Sequence, residues 1–313
     1  MRRRRNRPPL SIVPLEHERG LGSRLPRGSG ITRPGRFAIV RTLLWLLALL
    51  AVLVAILSLQ SVVRAVAPYP GLVLATAFLT VILAYGAYAA LVCKGERRDP
   101  WELSVRHLPL ELGAGLLVGG KAMAIIVGIL VLTGAYHLDP GQWSDWAHDV
   151  REALGTGLLE ELLARLVIFR LLAQAFRVGP GLAISALLFG AAHLANPGAS
   201  FVSAMAIAVE AGLMLAGFYL LTGRIWMSVG AHAGWNFVQG AIFGAPVSGM
   251  ASNGSILHTT VETSMPTWWT GGTFGPEGSL CGVMVGLSIF LITAAIGRNL
   301  HSGSSAQSEI YRS

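Results

Sequence analysis

The feature that most constrains this chain is a series of apolar runs, each about long enough to cross a bilayer. A spanning helix needs roughly 20 mainly apolar residues. Such runs occupy 42–63, 71–92, 110–133, 153–176, 201–221, 225–243 and 280–297. A shorter one at 181–195 is stopped by Asn196, Pro197 and Gly198. The expected fold is therefore all-α, a polytopic membrane helix bundle of about eight transmembrane helices. The charge content agrees. Only 13% of residues are charged, against roughly 25% in soluble domains, so a water-facing surface could not be kept wet. The two cysteines, Cys93 and Cys281, exclude a disulfide framework and a cysteine-rich zinc site.

The distribution of charge orients the bundle. The net charge of +8 resides in residues 1–36, which hold ten arginines against Glu16 and Glu18. This arginine-, proline- and glycine-rich tail reads as disordered and cytoplasmic, held near anionic lipid. Nucleic acid is the less fitting partner for such a tail beside a hydrophobic segment. With the tail inside, eight spans place Lys94, Arg97, Arg98, Arg106, Arg177, Arg224, Arg298 and Arg312 in cytoplasmic segments. The outer loops 134–150, 196–200 and 244–279 contain Asp139, Asp145, Asp149, Glu262 and Glu277 and no Lys or Arg. That asymmetry puts both termini in the cytoplasm. The organisation expected is a basic tail at 1–36, a membrane domain at 37–301 with its motif core at 150–245, and a disordered polar tail at 302–313. The compact chain without targeting signals points to the plasma membrane of a prokaryote.

Ionisable residues inside spans are costly and default to function. The chain places Lys121, Glu160, Glu161, Arg165, His193, Glu210 and His232 at or near membrane depth. Adjacent residues on a helix point about 100° apart, so Glu160 and Glu161 do different jobs. Glu161 and Arg165, at i and i+4, can pair, which leaves Glu160 to face a cavity. The bland alternative is a buried ion-pair network of both acids with Arg165 and Arg170. His232 and Asn236 share a face of the seventh span, and His193 ends the fifth, one turn after Phe189. Lys121 and Glu210 are expected to pair across the third and sixth spans. Trp143, Trp146, Trp268 and Trp269 suit an aromatic belt at the outer interface. Asn253-Gly254-Ser255 fits a glycosylation triplet, a pattern common by chance.

The polar set resembles that of a known family. Glu160-Glu161-Leu-Leu-Ala-Arg165 matches EExxxR, Phe189-Gly-Ala-Ala-His193 matches FxxxH, and His232-Ala-Gly-Trp-Asn236 matches HxxxN. These motifs, in this order on successive apolar helices, are similar to those of the CAAX protease and bacteriocin-processing (Abi) family, which includes type II CAAX prenyl endopeptidases. The resemblance covers roughly 150–245. It implies an intramembrane endopeptidase, often labelled a metalloprotease, that acts on a membrane-associated or lipid-modified peptide or protein. By that resemblance Glu160 is the general base for a water and His193 assists it. His232 and Asn236 hold the oxyanion, with Glu161, Arg165 and Phe189 in support. Peptide hydrolysis needs both an activated water and a stabilised oxyanion. HxxxN lacks the paired histidines of a zinc-binding HExxH helix, so a metal-independent glutamate mechanism is the first expectation. Zinc held by Glu160, His193 and His232 is its rival. A non-enzymatic immunity or scaffold protein of the same fold is the alternative function.

Overall fold

The computed structural model describes residues 22–66, 69–144, 149, 151–152, 155–252 and 254–310. Among these, eight long helical stretches follow one another. We label them α1 (Ala38–Val66), α2 (Pro70–Leu91, extended by the wide turn Val92–Glu96) and α3 (Leu108–Leu132). Helix α4 is built from Gly155–Glu160, Leu162–Phe169 and Arg170–Phe176, and α5 is Val178–Ala192 with a terminal turn His193–Ala195. Helix α6 comprises Phe201–Ile207, Ala208–Leu213 and Met214–Thr222. Helix α7 is Trp226–Phe237 running into Val238–Ile242, and α8 is Leu280–Ile310.

Six helical segments are long and apolar enough to cross a membrane: Ala38–Ser58, Gly71–Glu96, Trp101–Leu132, Val178–Ala195, Phe201–Thr222 and Leu280–Asn299. The fold is thus a polytopic helical membrane bundle. Helices α4 and α7 are the two of the expected eight that do not qualify. They carry Glu160, Glu161, Arg165 and Arg170, or His232 and Asn236, and most of their side chains are buried in protein. The other helices turn large apolar side chains outward, among them Leu44, Leu47, Leu117, Leu187, Met284 and Ile292. That is the surface a lipid-facing ring requires.

Helix α7 sits deep because α3 lets it approach. A Cβ on Gly115 would lie 2.4 Å from the Met227 carbonyl oxygen, and one on Gly119 would lie 2.0 Å from that of Ala231. In return, Gly230 and Gly234 face the Leu112 and Leu116 carbonyls at 2.3 and 2.4 Å. Both helices present glycines four apart, the small-residue pattern that allows membrane helices to pack backbone to backbone. With this face of α7 closed against α3, its polar residues are left to face α4–α6.

Two large apolar cores and a smaller third one around Phe189, Ile207 and Phe274 fill the bundle. Of the large two, one gathers Leu49, Leu53, Tyr88, Leu166, Phe169 and Tyr219, and the other gathers Met123, Ile126, Leu130, Met214, Phe218 and Trp235. The basic end is closed by residues 97–107 and by part of the N-terminal segment. Residues 101–107 fold as two 3₁₀ turns, Trp101–Leu103 and Val105–His107. The expected disorder of 1–36 differs for residues 22–36, which pack on the bundle; residues 1–21 lie outside the described residues. Leu25 is buried in the first core, Ser29 Oγ donates to the Glu96 carbonyl at 2.6 Å, and Gln174 Nε2 donates to the Pro26 carbonyl at 2.9 Å. Arg41 holds the segment by donating to the carbonyls of Ile31, Arg33 and Arg36. An apolar anchor and an arginine clamp therefore order what composition alone makes mobile. Helix α8 continues to Ile310, past the expected end of its span at 297 and into the expected tail.

At the other end the expected loops contain a small sheet. Strand β1 (Tyr136–Pro140) pairs antiparallel with β2 (Leu257–Val261), in register from Tyr136↔Val261 to Pro140↔Leu257. The Leu257-His-Thr-Thr-Val261 run is rich in residues that suit a pleated strand. Trp143 and Trp268 are exposed here, and Trp269 donates to Thr133 Oγ1 at 3.2 Å. Trp146 and Asn253 lie outside the described residues.

Candidate active site

Glu160 and Glu161 lie near the start of α4, on its outer-loop side. His193 follows the last residue of α5 at the same end. Tracking Glu160 by its closeness to Arg165 would set it at the opposite depth from His193. The structure brings the two together: Glu160 approaches His232, and Phe189 packs on the rings of both His193 and His232.

The two acids divide as the helix geometry requires. Glu161 is fully buried, and its carboxylate bridges two groups: Oε2 is 3.0 Å from Arg165 Nε and Oε1 is 3.0 Å from His232 Nδ1. Arg165, also fully buried, donates to the Ala211 carbonyl at 3.2 Å, and its guanidinium lies 4.6 Å from the centre of the Phe189 ring. Glu160 points elsewhere. Its side chain is 39% exposed, and its Oε2 is 4.0 Å from His232 Nε2. A 4.0 Å gap is too long for a direct hydrogen bond and suits a bridging water. The network of both acids with Arg165 and Arg170 does not form, because Arg170 is engaged at the far end of α4 with Glu96.

Each histidine is fixed through Nδ1. In His193, Nδ1 lies 2.8 Å from the Phe189 carbonyl, so Nδ1 carries the proton. In His232, Nδ1 meets Glu161. In both rings the Nε2 atom is the one left for chemistry. The Phe189 ring lies between them, 4.9 Å from the His193 ring and 6.3 Å from that of His232.

A cavity of about 20 Å³ opens beside these rings, lined by His193, Glu210, His232, Trp235, Asn236 and Glu277 among others. Its size suits one water. His193, His232 and Asn236 thus share a wall, and Glu160 adjoins it through His232.

Two of these residues had other places in the sequence reading. Glu210 was expected to pair with Lys121. Instead Lys121 is exposed on α3, whose glycine face is turned to α7, while Glu210 is 1% exposed and turned toward the cavity and α8. Neither Glu210 oxygen has a hydrogen-bond partner among the described residues. Glu277 counted as an acid of an outer loop. It is 2% exposed, sits in the turn Pro276–Gly278 and accepts the Ser248 N–H. Burial pushes its carboxyl above the ordinary carboxylate range. Its one sequence signal is its position three residues before α8, which folds it back under that helix.

Glu160, His193 and His232 were the candidate metal ligands. Among the described residues, no three His, Cys, Asp or Glu side chains are grouped so as to hold a metal ion.

Comparison with known proteins bears on the same helices. No curated protein and no solved structure matches the chain. A family model described as Rce1-like, type II CAAX prenyl endopeptidase Rce1-like, matches residues 142–238, a stretch that takes in all of α4 to α6 and α7 to its first wide turn. Residues 142–238, which supply most of this cavity's lining, are thus similar to the Rce1-like type II CAAX prenyl endopeptidases.

Proposed function

We propose that this protein is an intramembrane endopeptidase that hydrolyses a membrane-associated or lipid-modified peptide with a water activated by Glu160. The observation that carries this reading is the chain Arg165–Glu161–His232–Glu160. A sealed ion pair fixes one imidazole nitrogen and turns the other toward an accessible carboxylate. Orienting a histidine through Nδ1 with a buried carboxylate is how catalytic and metal-binding imidazoles are held in a single tautomer.

In this mechanism a water sits between Glu160 and the Nε2 atom of His193. Glu160 takes its proton as the oxygen attacks the peptide carbonyl, and His193 holds the water in line. Charge develops on the carbonyl oxygen. The Asn236 amide donates to it, together with His232 Nε2–H in the doubly protonated ring, whose charge Glu161 balances at Nδ1. Preorganised donors of this kind supply several kcal/mol of transition-state stabilisation. Glu160 then passes its proton to the leaving nitrogen.

The bundle would lie in a plasma membrane with its basic end, carrying Lys94, Arg97, Arg98, Arg106, Arg177 and Arg224, in the cytoplasm. The purified protein should cleave members of a membrane-peptide library, and Glu160→Gln should not. If Glu160→Gln cleaves as well as the wild type, Glu160 is not the base; if the wild type itself cleaves nothing, the fold serves binding rather than hydrolysis. Running the assay with chelator separates the two chemistries. Unchanged turnover fits glutamate alone, whereas loss with recovery by zinc places a metal at Glu160, His193 and His232.

A further inference from the structure

Glu210 has no place in the mechanism above, yet it is an acid set inside an apolar helix. It lies in the wide turn Ala208–Leu213 of α6, a local unwinding often found at functional sites. Its backbone is pressed against α8: a Cβ on Gly286 would lie 2.6 Å from the Glu210 Cβ. Its carboxylate reaches the start of α8, where a Cβ on Gly282 would lie 2.9 Å from Glu210 Oε2 and 3.2 Å from the Glu277 Cα. The two acids therefore flank one corner of the cavity that also holds His193, His232 and Asn236.

Among the described residues no Lys or Arg answers them. Arg165 is committed to Glu161, Lys121 is exposed on α3, and the three outer loops contain no Lys or Arg. Both Glu210 oxygens are buried without a hydrogen-bond partner among the described residues. A buried carboxylate in that condition is costly and persists where something else completes it. The cavity admits one water-sized group, which is the size of an ammonium.

We infer that Glu210, seconded by Glu277, forms an acidic subsite that binds a primary ammonium group of the substrate or product. The inference rests on the peptidase reading. Hydrolysis adds the water oxygen to the carbonyl carbon and breaks the C–N bond, and the nitrogen leaves as a primary amine with the proton carried by Glu160. The new carboxylic acid gives a proton to solvent and the amine takes one, so an ammonium is generated beside these two carboxylates. A lysine side chain just after the scissile bond would present the same group.

The test uses a peptide that the wild-type protein cleaves and its own C-terminal fragment as an inhibitor. The fragment with a free α-amine should inhibit wild type at least ~10-fold more strongly than the α-acetylated fragment, and Glu210→Gln should abolish that difference. Glu277→Gln should reduce it less, and it provides the same readout if Glu210→Gln fails to accumulate. Exchanging a lysine after the scissile bond for norleucine separates the sources. If only this exchange is sensitive to Glu210, the ammonium is the side chain's. If amine and acetyl fragments inhibit equally, and lysine and norleucine substrates behave alike in wild type, the subsite does not exist. A wild type that cleaves its peptide but lacks this discrimination overturns the subsite alone. A wild type that cleaves nothing overturns the peptidase reading and the subsite with it.

Discussion

Two clusters of charge lie inside the bundle, both built on α4 and only a few residues apart. They differ in how completely they are partnered. At the basic end, Arg170 donates Nη1 and Nη2 to the two Glu96 oxygens at 2.8 Å each and Nε to the Leu166 carbonyl at 2.7 Å. Arg98 reaches Glu96 at 2.8 Å and both Glu102 oxygens at 2.7 and 2.6 Å. Trp45 and Tyr88 complete the two carboxylates. Two acids and two arginines cancel, and every carboxylate oxygen accepts a hydrogen bond. At the other end of α4, Glu160 stops 4.0 Å from His232, while Arg165 Nη1 and both Glu210 oxygens have no hydrogen-bond partner among the described residues. Buried polar groups left incomplete are expensive, so the first cluster is complete as a structural clamp, while the second suits the proposed site for water and substrate.

That contrast can be broken by substitution. The largest expected effect is on stability at the clamp. Arg170→Ala leaves Glu96 and Glu102 with one cation between them, a cost of about 3–5 kcal/mol. The protein should accumulate poorly or melt far earlier in detergent. Asn236→Ala, on the cavity wall, should barely change the melting temperature yet lower turnover by roughly a hundredfold or more, the scale of one lost oxyanion donor. Should the two variants exchange behaviours, the assignment of clamp and site is reversed.

A smaller effect sharpens the comparison at Glu161, which belongs to both kinds of structure. Glu161→Gln keeps the shape but weakens the hold on His232 Nδ1, so turnover should fall by about 10–100-fold, as when the partner of an oriented histidine is lost. Arg165→Ala should instead cost mainly stability, because it leaves Glu161 buried without its cation. Trp45→Phe should act on stability alone: it removes one hydrogen bond to Glu96 and costs about 1.5–3 kcal/mol, with the activity of the folded fraction unchanged.

The helices themselves were legible because a bilayer demands apolar runs of fixed length, and the runs at 42–63 or 71–92 differ from α1 and α2 only at their ends. The residues around His232 were legible because ionisable groups have no reason to stand in α4 or α7 except to meet one another. Other features were hidden for specific physical reasons. Gly115, Gly119, Gly230 and Gly234 carry the α3–α7 approach, but a glycine pattern does not name its partner helix. Glu210 was visible as an acid at membrane depth. Its pairing with Lys121 failed because rotation of α3 about its axis is set by those same glycines. Glu277 and the β1–β2 pair lie in polar connections where hydropathy carries no signal, and only tertiary packing turns them inward. Leu25 and Arg41 order residues 22–36 through a few contacts that composition averages away.

The proposed function requires the cluster around Glu160 to be catalytic and the one around Arg170 not to be. The most direct measurement pairs cleavage of a membrane peptide with thermal stability for Glu160→Gln in the purified protein. The amide keeps the shape of the side chain but cannot take a proton. The expected result is cleavage reduced by at least ~10³-fold with an unchanged melting temperature. Cleavage at the wild-type rate, or a loss of activity that tracks a loss of folded protein, would contradict it.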